Sequence, residues 1–220
     1  MKLMVIRHSD REIIKDSESA HLAQLTPEGI KKAISFGKQL NKKMDIKVNN
    51  IFTSFVERCI DTGKLIEDSH KLDVFPEGKI SFYIPENEDN LATWGYIKLS
   101  EKIEVLDYLA TMFEKKEWDY PRLFKELFNQ NLLIHENCTD FSQDFLSKYY
   151  FPFHNNLVVT HDIIISPIMH FLSEKLNFSM DNYMFEPKPL SGFCLYREEN
   201  REIVEWINFE NNEIQIKRLV

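Results

Sequence analysis

Cysteine, glycine and long apolar runs are all scarce in this 220-residue chain. Its three cysteines, Cys59, Cys138 and Cys194, lack CxxC spacing and so indicate neither a disulfide framework nor a zinc site, which favours a reducing compartment. No stretch approaches the roughly 20 apolar residues of a membrane helix. The first apolar run, at residues 3–6, is too short for a secretory signal. We therefore expect a cytoplasmic protein.

Positive charge is also in deficit. The chain has 27 Lys and Arg against 35 Asp and Glu, which gives a net charge of −8. This balance argues against nucleic acid and against an anionic membrane surface as partners, because both require a basic face. An anionic ligand would have to be bound by a local group of cations.

Short apolar segments alternate with amphipathic helical patterns along most of the chain. This alternation predicts an α/β fold, a three-layer α/β/α sandwich with a mostly parallel central sheet. A helical pattern at about residues 90–150 predicts an insertion over the sheet, within a single domain spanning residues 1–220. The predicted strands cover residues 3–6, 48–54, 74–84, 157–160, 192–196 and 203–207, and predicted helices run from Pro27 to about Lys42, from Val56 and after His161.

Charged and polar groups follow three of the predicted strands. Ligands of open α/β sheets gather beyond the carboxyl ends of the strands, so these groups are expected at one edge. They are Arg7 and His8 after the first strand, Ser54 and Arg58 after the second, and His161 and Asp162 after the strand at 157–160.

Three arginines near these ends, Arg7, Arg11 and Arg58, predict an anion among them. A guanidinium grips phosphate through paired hydrogen bonds, so phosphate is the expected group. A neutral imidazole is a competent nucleophile toward phosphorus, which makes a phosphohistidine on His8 feasible. His161 would donate to the equatorial oxygens. Asp162 would protonate the departing alcohol and then act as base on water.

Simpler interpretations compete at several positions. Arg11 is also placed to pair with Glu12 or Asp10, and Asp162 to cap the helix that follows it. Ser54 is interpreted as a helix cap rather than a ligand. The remaining histidines show no metal-ligand spacing, and neither a metal nor a cofactor is predicted.

The same segments carry a family resemblance that spans most of the chain. Arg7-His8, Leu25-Thr26-Pro27-Glu28-Gly29, the segment from Ser54 to Cys59 and Thr160-His161-Asp162 resemble the successive motifs of the histidine phosphatase superfamily, also called phosphoglycerate-mutase-like. The resemblance implies that His8 is phosphorylated and that no metal is used. It also implies that Arg7, Arg58 and His161 bind the phosphoryl group.

The branch determines which residue is the acid. The spacing from Arg7 to Arg11 and the His161-Asp162 pair are similar to the acid-phosphatase branch, which implies a phosphate-binding Arg11 and Asp162 as proton donor. The mutase branch instead takes its acid from a glutamate before the insertion. Glu86 and Glu88 are the alternative donors for that case.

One residue departs from the family pattern. Ser9 follows the nucleophilic histidine, where the family usually has glycine, and its side chain is expected to narrow the phosphate pocket or to slow the chemistry. The prediction is a metal-independent phosphomonoester hydrolase acting on a small phosphorylated substrate. The alternatives are a phosphoglycerate-mutase-type phosphotransferase and a non-catalytic phosphate-recognising protein of the same fold.

Overall fold

A mixed seven-stranded sheet with helices on both faces forms the described part of the chain. The computed structural model describes residues 1–13, 22–74, 80–84 and 135–220. In chain order the elements are β1 (Lys2–Arg7), α1 (Pro27–Met44), β2 (Asn50–Thr53), α2 (Glu57–Val74), β3 (Ser81–Tyr83), α3 (His135–Tyr149), β4 (Asn156–Thr160), α4 (Asp162–Leu176), α5 (Asn182–Phe185), β5 (Gly192–Glu198), β6 (Arg201–Glu210) and β7 (Glu213–Arg218).

The strand order is β3-β2-β4-β1-β5-β6-β7. The first four strands in this order are mutually parallel, and in the central pair Leu3 lies opposite Asn156 and Arg7 opposite Thr160. The carboxyl ends of β1, β2 and β4 therefore lie at one side of the sheet, which we call the carboxyl edge.

The predicted mostly parallel sheet is wrong. Three of the six pairings between described strands are parallel, and the three made by β5, β6 and β7 are antiparallel. Two tight turns cause two of these three pairings, β5 with β6 and β6 with β7: Glu199 and Asn200 have φ of 48° and 67°, and Asn211 and Asn212 have φ of 53° and 61°. Two-residue turns of this kind reverse the chain, whereas parallel neighbours need a long crossover.

Alternating side chains of the strands build a core on each face of the sheet. Met4 and Ile6 pack on one face with Phe36 of α1 and Ile66 of α2. The other face holds the strand residues Leu3 and Val5 with Phe145 of α3 and Ile165 of α4. The helices therefore cover both faces in three layers, as the alternating pattern predicted. No helix in the described ranges is both long enough and apolar enough to cross a membrane.

The start of α1 fixes the loop that follows β1. The Thr26 side chain caps the helix by accepting from the Gly29 amide at 3.0 Å, and Pro27 occupies the first helical position, as predicted. A Cβ at Gly29 would lie 2.2 Å from the carbonyl oxygen of Asp10, so only glycine allows this approach. The loop is thereby held directly against α1, two residues beyond His8.

Part of the predicted insertion is described. Residues 135–149 form α3, which packs against α4. Residues 90–134 lie outside the described ranges, so the insertion and the single-domain boundaries stay predictions. Val74 ends α2 rather than beginning a strand, and β3 covers only Ser81–Tyr83 of the predicted strand at 74–84.

Candidate active site

Three strand ends meet at the carboxyl edge. The hydrogen bonding of the sheet continues past the strands, because the His8 amide donates to the Thr160 carbonyl at 2.9 Å. The amide of Ser54 likewise donates to the carbonyl of Val159 at 3.0 Å. These bonds place His8, Ser54 and His161 side by side at the ends of neighbouring strands.

His8 is buried, with 2% of its surface exposed, and its ring is held in one tautomer. Nδ1 lies 2.7 Å from the carbonyl oxygen of Ser9, which only accepts, so the proton is on Nδ1 and the lone pair on Nε2. Arg58 donates its Nε hydrogen to that lone pair at 3.1 Å. The pKa of His8 lies well below its usual value, mainly because the ring is buried. Electrostatic effects of His161, Arg58 and Arg7 lower it further. The ring is therefore neutral, as a nucleophile must be.

His161 meets His8 edge to face, with ring centroids 5.2 Å apart and planes at 69°. Its Nδ1 lies 3.4 Å from Nη2 of Arg58, so one guanidinium contacts both histidines. Burial and the positive charges of Arg58, Arg7 and Arg11 lower the pKa of His161 to about 3. Both rings are thus uncharged while the arginines around them carry charge.

Arg7 is anchored at both ends of its guanidinium. Nη1 donates to the Pro187 carbonyl at 2.7 Å, and Nη2 lies 3.2 Å from Oδ2 of Asp162. Among the described residues, the buried Nε of Arg7 has no hydrogen-bond partner. Asp162 is the first residue of α4, and His161 is its N-cap, so the interpretation of Asp162 as the cap is wrong.

Arg11 follows His8 by three residues, in the loop after β1. Its Nη1 donates to the Glu12 carbonyl at 2.9 Å, and its charge lowers the pKa of both His161 and Arg58. The carboxylate of Asp10 pairs instead with Lys32 at 2.7 Å. A direct phosphate contact of Arg11 stays a prediction.

Ser9 does not need the backbone freedom of glycine. It is absent from the described residues with positive φ, and its buried hydroxyl donates to the Gly29 carbonyl at 2.7 Å. Its amide donates to Oγ1 of Thr62 at 3.1 Å. The hydroxyl is therefore committed to α1, and nothing in these contacts supports the expected narrowing of the phosphate pocket.

Sequence reasoning missed two residues of α2 that border the site. Thr62 accepts from Ser9 and donates to the Arg58 carbonyl at 2.7 Å, which ties the loop after β1 to α2. Cys59 places its Sγ 3.5 Å from Nε2 of His161, and burial raises the pKa of its thiol to about 12. The sequence offered one signal for them: Cys59 and Thr62 follow Arg58 by one and four residues in α2, and residues four apart lie on the same face of a helix.

Ser54 makes two contacts through its hydroxyl. Its Oγ accepts from the Val56 amide at 3.3 Å and lies 3.3 Å from Nε2 of His161. The Val56 carbonyl accepts the first bonds of α2, from Cys59 and Ile60, so Val56 is at the N-cap position and the interpretation of Ser54 as the cap is wrong. In the described part of the chain, no group of three or more His, Cys, Asp or Glu residues could hold a metal ion. The alternative donors Glu86 and Glu88 lie outside the described residues.

The sequence matches no family model and no curated protein, whereas it resembles solved structures along nearly its whole length. A phosphoglycerate mutase from Plasmodium falciparum is 17% identical at a TM-score of 0.46, with 99% of each chain covered. A phosphoserine phosphatase from Entamoeba histolytica is 15% identical at 0.45, over 92% of this chain and 94% of that one. A mycobacterial glucosyl-3-phosphoglycerate phosphatase is 13% identical at a TM-score of 0.45, with 100% of this chain and 97% of that chain covered.

By name these three solved structures are two phosphatases and a mutase. The resemblance to the acid-phosphatase branch stays a prediction.

Proposed function

We propose that this protein is a metal-independent phosphomonoester hydrolase that acts through a phosphohistidine on His8. The observation that carries the proposal is the orientation of that imidazole. Its Nδ1 is bound to the Ser9 carbonyl, and its Nε2 lone pair faces the guanidinium of Arg58. A neutral nucleophile pointing at a fixed cation suits attack on an anionic phosphoryl group.

In the first step Nε2 of His8 would attack phosphorus. The N–P bond forms as the P–O bond to the alcohol breaks, and the phosphoryl oxygens exchange places with the present partners of the arginines. Arg58 would then donate to the phosphoryl group instead of to the two rings. A buried donor of Arg7 supports this exchange of partners. Its Nε–H has no hydrogen-bond partner among the described residues, and an oxygen of the phosphoryl group would supply one.

Asp162 is the proposed proton donor to the departing alcohol: once the phosphoryl oxygens replace it at Arg7, its carboxyl would carry a proton, give that proton to the alcohol oxygen and be left as the carboxylate. Its carboxylate lies 3.2 Å from Arg7, so it borders any phosphoryl group held by that arginine. In the second step the same carboxylate would take a proton from water, which attacks phosphorus, breaks the N–P bond and releases inorganic phosphate. Glu86 and Glu88 remain the alternative donors.

Two other functions are compatible with the site. A phosphoglycerate-mutase-type transferase would return the phosphoryl group from His8 to a second hydroxyl instead of water. A non-catalytic phosphate-recognising protein would use the same arginines without turnover. Two features motivate this last case, Ser9 after the nucleophile and the undetermined proton donor. The contacts of Ser9 with Gly29 and Thr62 weaken the first, because its side chain is committed to the scaffold.

Hydrolysis of an aryl phosphate in the presence of a chelator tests the proposal. We expect wild-type protein to release phosphate and His8→Ala to be inactive. Activity that disappears with chelator, or that survives in the variant, would contradict the mechanism. Conversion of a phosphorylated sugar acid without phosphate release would favour the mutase. Phosphate binding without any turnover would favour the recognition protein.

A further inference from the structure

The two ring nitrogens of His161 face chemically different partners. Nδ1 lies 3.4 Å from Nη2 of Arg58, whereas Nε2 lies 3.3 Å from Oγ of Ser54 and 3.5 Å from Sγ of Cys59. A guanidinium has only donors, so Nδ1 of the neutral ring must present its lone pair to Arg58. The proton of the neutral ring is therefore on Nε2.

The hydroxyl oxygen of Ser54 accepts the hydrogen bond from this N–H group. The serine is fully buried, and its amide is fixed to the Val159 carbonyl at 3.0 Å, so the position of Oγ follows from the sheet. Cys59 is the weaker partner, because sulfur is a poor acceptor and its thiol is directed to the Thr160 carbonyl at 3.8 Å. Arg58 thus determines the tautomer, and the hydroxyl of Ser54 accepts a hydrogen bond from Nε2–H on the far side of the ring.

We propose that Ser54 is a positioning residue that holds His161 as its Nε2–H tautomer, so that an anion bound at Arg58 is accompanied by one proton taken up at Nδ1. The identity of that anion as a phosphoryl group rests on the function proposed above. The tautomer and the proton uptake do not depend on it.

The charges around His161 explain why the proton comes with the anion. Burial disfavours a charged ring most, and Arg58 of α2, Arg7 at the end of β1 and Arg11 of the following loop add to this effect. An anion among them offsets these charges, and Nδ1 then binds a proton from solvent. The new N–H donates to an anion oxygen, while Nε2–H keeps its bond to Ser54. The proton returns to solvent when the anion leaves.

The other groups near the ring do not replace His161 in this role. The nucleophile His8 keeps its own proton on Nδ1, held by the Ser9 carbonyl. The thiol of Cys59 stays protonated because burial raises its pKa to about 12. Asp162, which pairs with Arg7, is separated by the variant Asp162→Asn: uptake of a proton with sulfate should persist in it, and loss of the uptake would place the proton on the carboxyl and refute the inference. Proton uptake at neutral pH is therefore assigned to Nδ1 of His161.

Nitrogen-15 NMR of the wild-type protein without ligand tests the tautomer directly. We expect His161 near neutral pH to show a protonated Nε2 and an unprotonated Nδ1. The opposite tautomer, or a ring already charged, would overturn the inference. This measurement needs no catalytic turnover, so an inactive protein would still pass or fail it.

Calorimetric titration with sulfate, in two buffers of different ionisation enthalpy, tests the proton uptake. Sulfate stays a dianion near neutral pH, so a proton taken up must bind to the protein. We expect about one proton per sulfate in wild-type protein. In Ser54→Ala we expect sulfate binding about tenfold weaker and a smaller uptake, because the charged ring loses its acceptor.

Ser54→Thr retains the hydroxyl and should restore both quantities, and Ser173→Ala, a matched change on α4, should leave them at wild-type values. Absence of sulfate binding to wild type, binding without proton uptake, or an unaltered Ser54→Ala would each contradict the inference. Hydrolysis through His8 without this proton uptake would leave the proposed function standing and the inference refuted. Proton uptake without hydrolysis would support the inference and refute the proposed function.

Discussion

Arg7 holds the carboxylate of Asp162 at 3.2 Å, so the proposed proton donor is attached to a residue proposed to bind the phosphoryl group. Asp162→Asn removes the acid while keeping the size of the side chain. We expect the variant to hydrolyse alkyl phosphates at least about 100-fold more slowly, because general acid catalysis commonly contributes 10²–10⁴-fold. A nitrophenyl phosphate should be much less affected, because its leaving group departs without a proton.

Steady-state kinetics on the two substrates checks this dependence on the leaving group. Asp181→Asn, which alters a carboxylate paired with Lys217 on the surface, is the matched control. Equal losses on both substrates would argue against Asp162 as the acid and in favour of Glu86 or Glu88.

Arg58→Lys keeps the positive charge but cannot contact two rings at once. The guanidinium uses Nε toward His8 and Nη2 toward His161, and a lysine ammonium cannot reproduce this fork. We expect kcat/KM for an aryl phosphate to fall by about 100-fold, as on loss of one preorganised donor. Arg218→Lys, at an exposed pair with Glu198, should be unaffected, and equal activity of the two variants would contradict the role of Arg58.

His161 makes folding stability depend on pH. Its pKa is about 3 in the folded protein, because the ring is buried near three arginines, and close to the ordinary histidine value of 6.5 in the unfolded protein. The unfolded state therefore binds the extra proton between these values, and the stability from a neutral ring, complete above about 6.5, is lost as pH falls. For one such group, each unit by which the pH falls within that window lowers the free energy of unfolding by about 1.4 kcal/mol.

Urea denaturation between pH 7 and 4 in anion-poor buffer measures this slope. The free energy of unfolding of His161→Gln should depend less steeply on pH than that of wild type, by the slope that one bound proton contributes. His154→Gln, at an exposed position, is the matched control. An identical slope in His161→Gln would show that the ring is not held neutral by the fold.

Ser9→Gly introduces the residue that the family usually has. We expect a loss of about 1 kcal/mol in the free energy of unfolding, because the hydrogen bond to the Gly29 carbonyl disappears. Activity toward an aryl phosphate should change no more than a few fold, since the hydroxyl is directed to α1. Thermal unfolding and kcat/KM measure the two effects. A large gain in activity would show that Ser9 narrows the phosphate pocket after all.

The strand ends and the start of α1 could be predicted from the sequence because their signals are local. A buried apolar run followed by Arg7 and His8 is typical of a parallel strand, and Thr26-Pro27 is a capping pattern. The β5–β7 region was harder to predict. β7 buries only Ile214 within Glu213–Arg218, so it has no apolar run, and its direction depends on the turn at Asn211 and Asn212.

The partners of the site residues could not be predicted, because they depend on side-chain directions across different elements. Nothing in the order of residues shows that the Ser9 hydroxyl binds Gly29, or that Arg7 reaches the Pro187 carbonyl. Ser54 illustrates the limit most clearly. Its position just before α2 suggested a helix cap, a role that Val56 occupies instead, whereas its contact with His161 requires the register of β2 against β4.

Direct detection of the phosphorylated residue is the strictest test of the account. Wild-type protein would be mixed with an aryl phosphate, quenched within milliseconds in alkali, digested and analysed by mass spectrometry. We predict an alkali-stable, acid-labile phosphoryl group on His8, absent from His8→Ala. Full turnover with no phosphorylated His8 at any quench time, or with the phosphoryl group on another residue, would contradict the central claim.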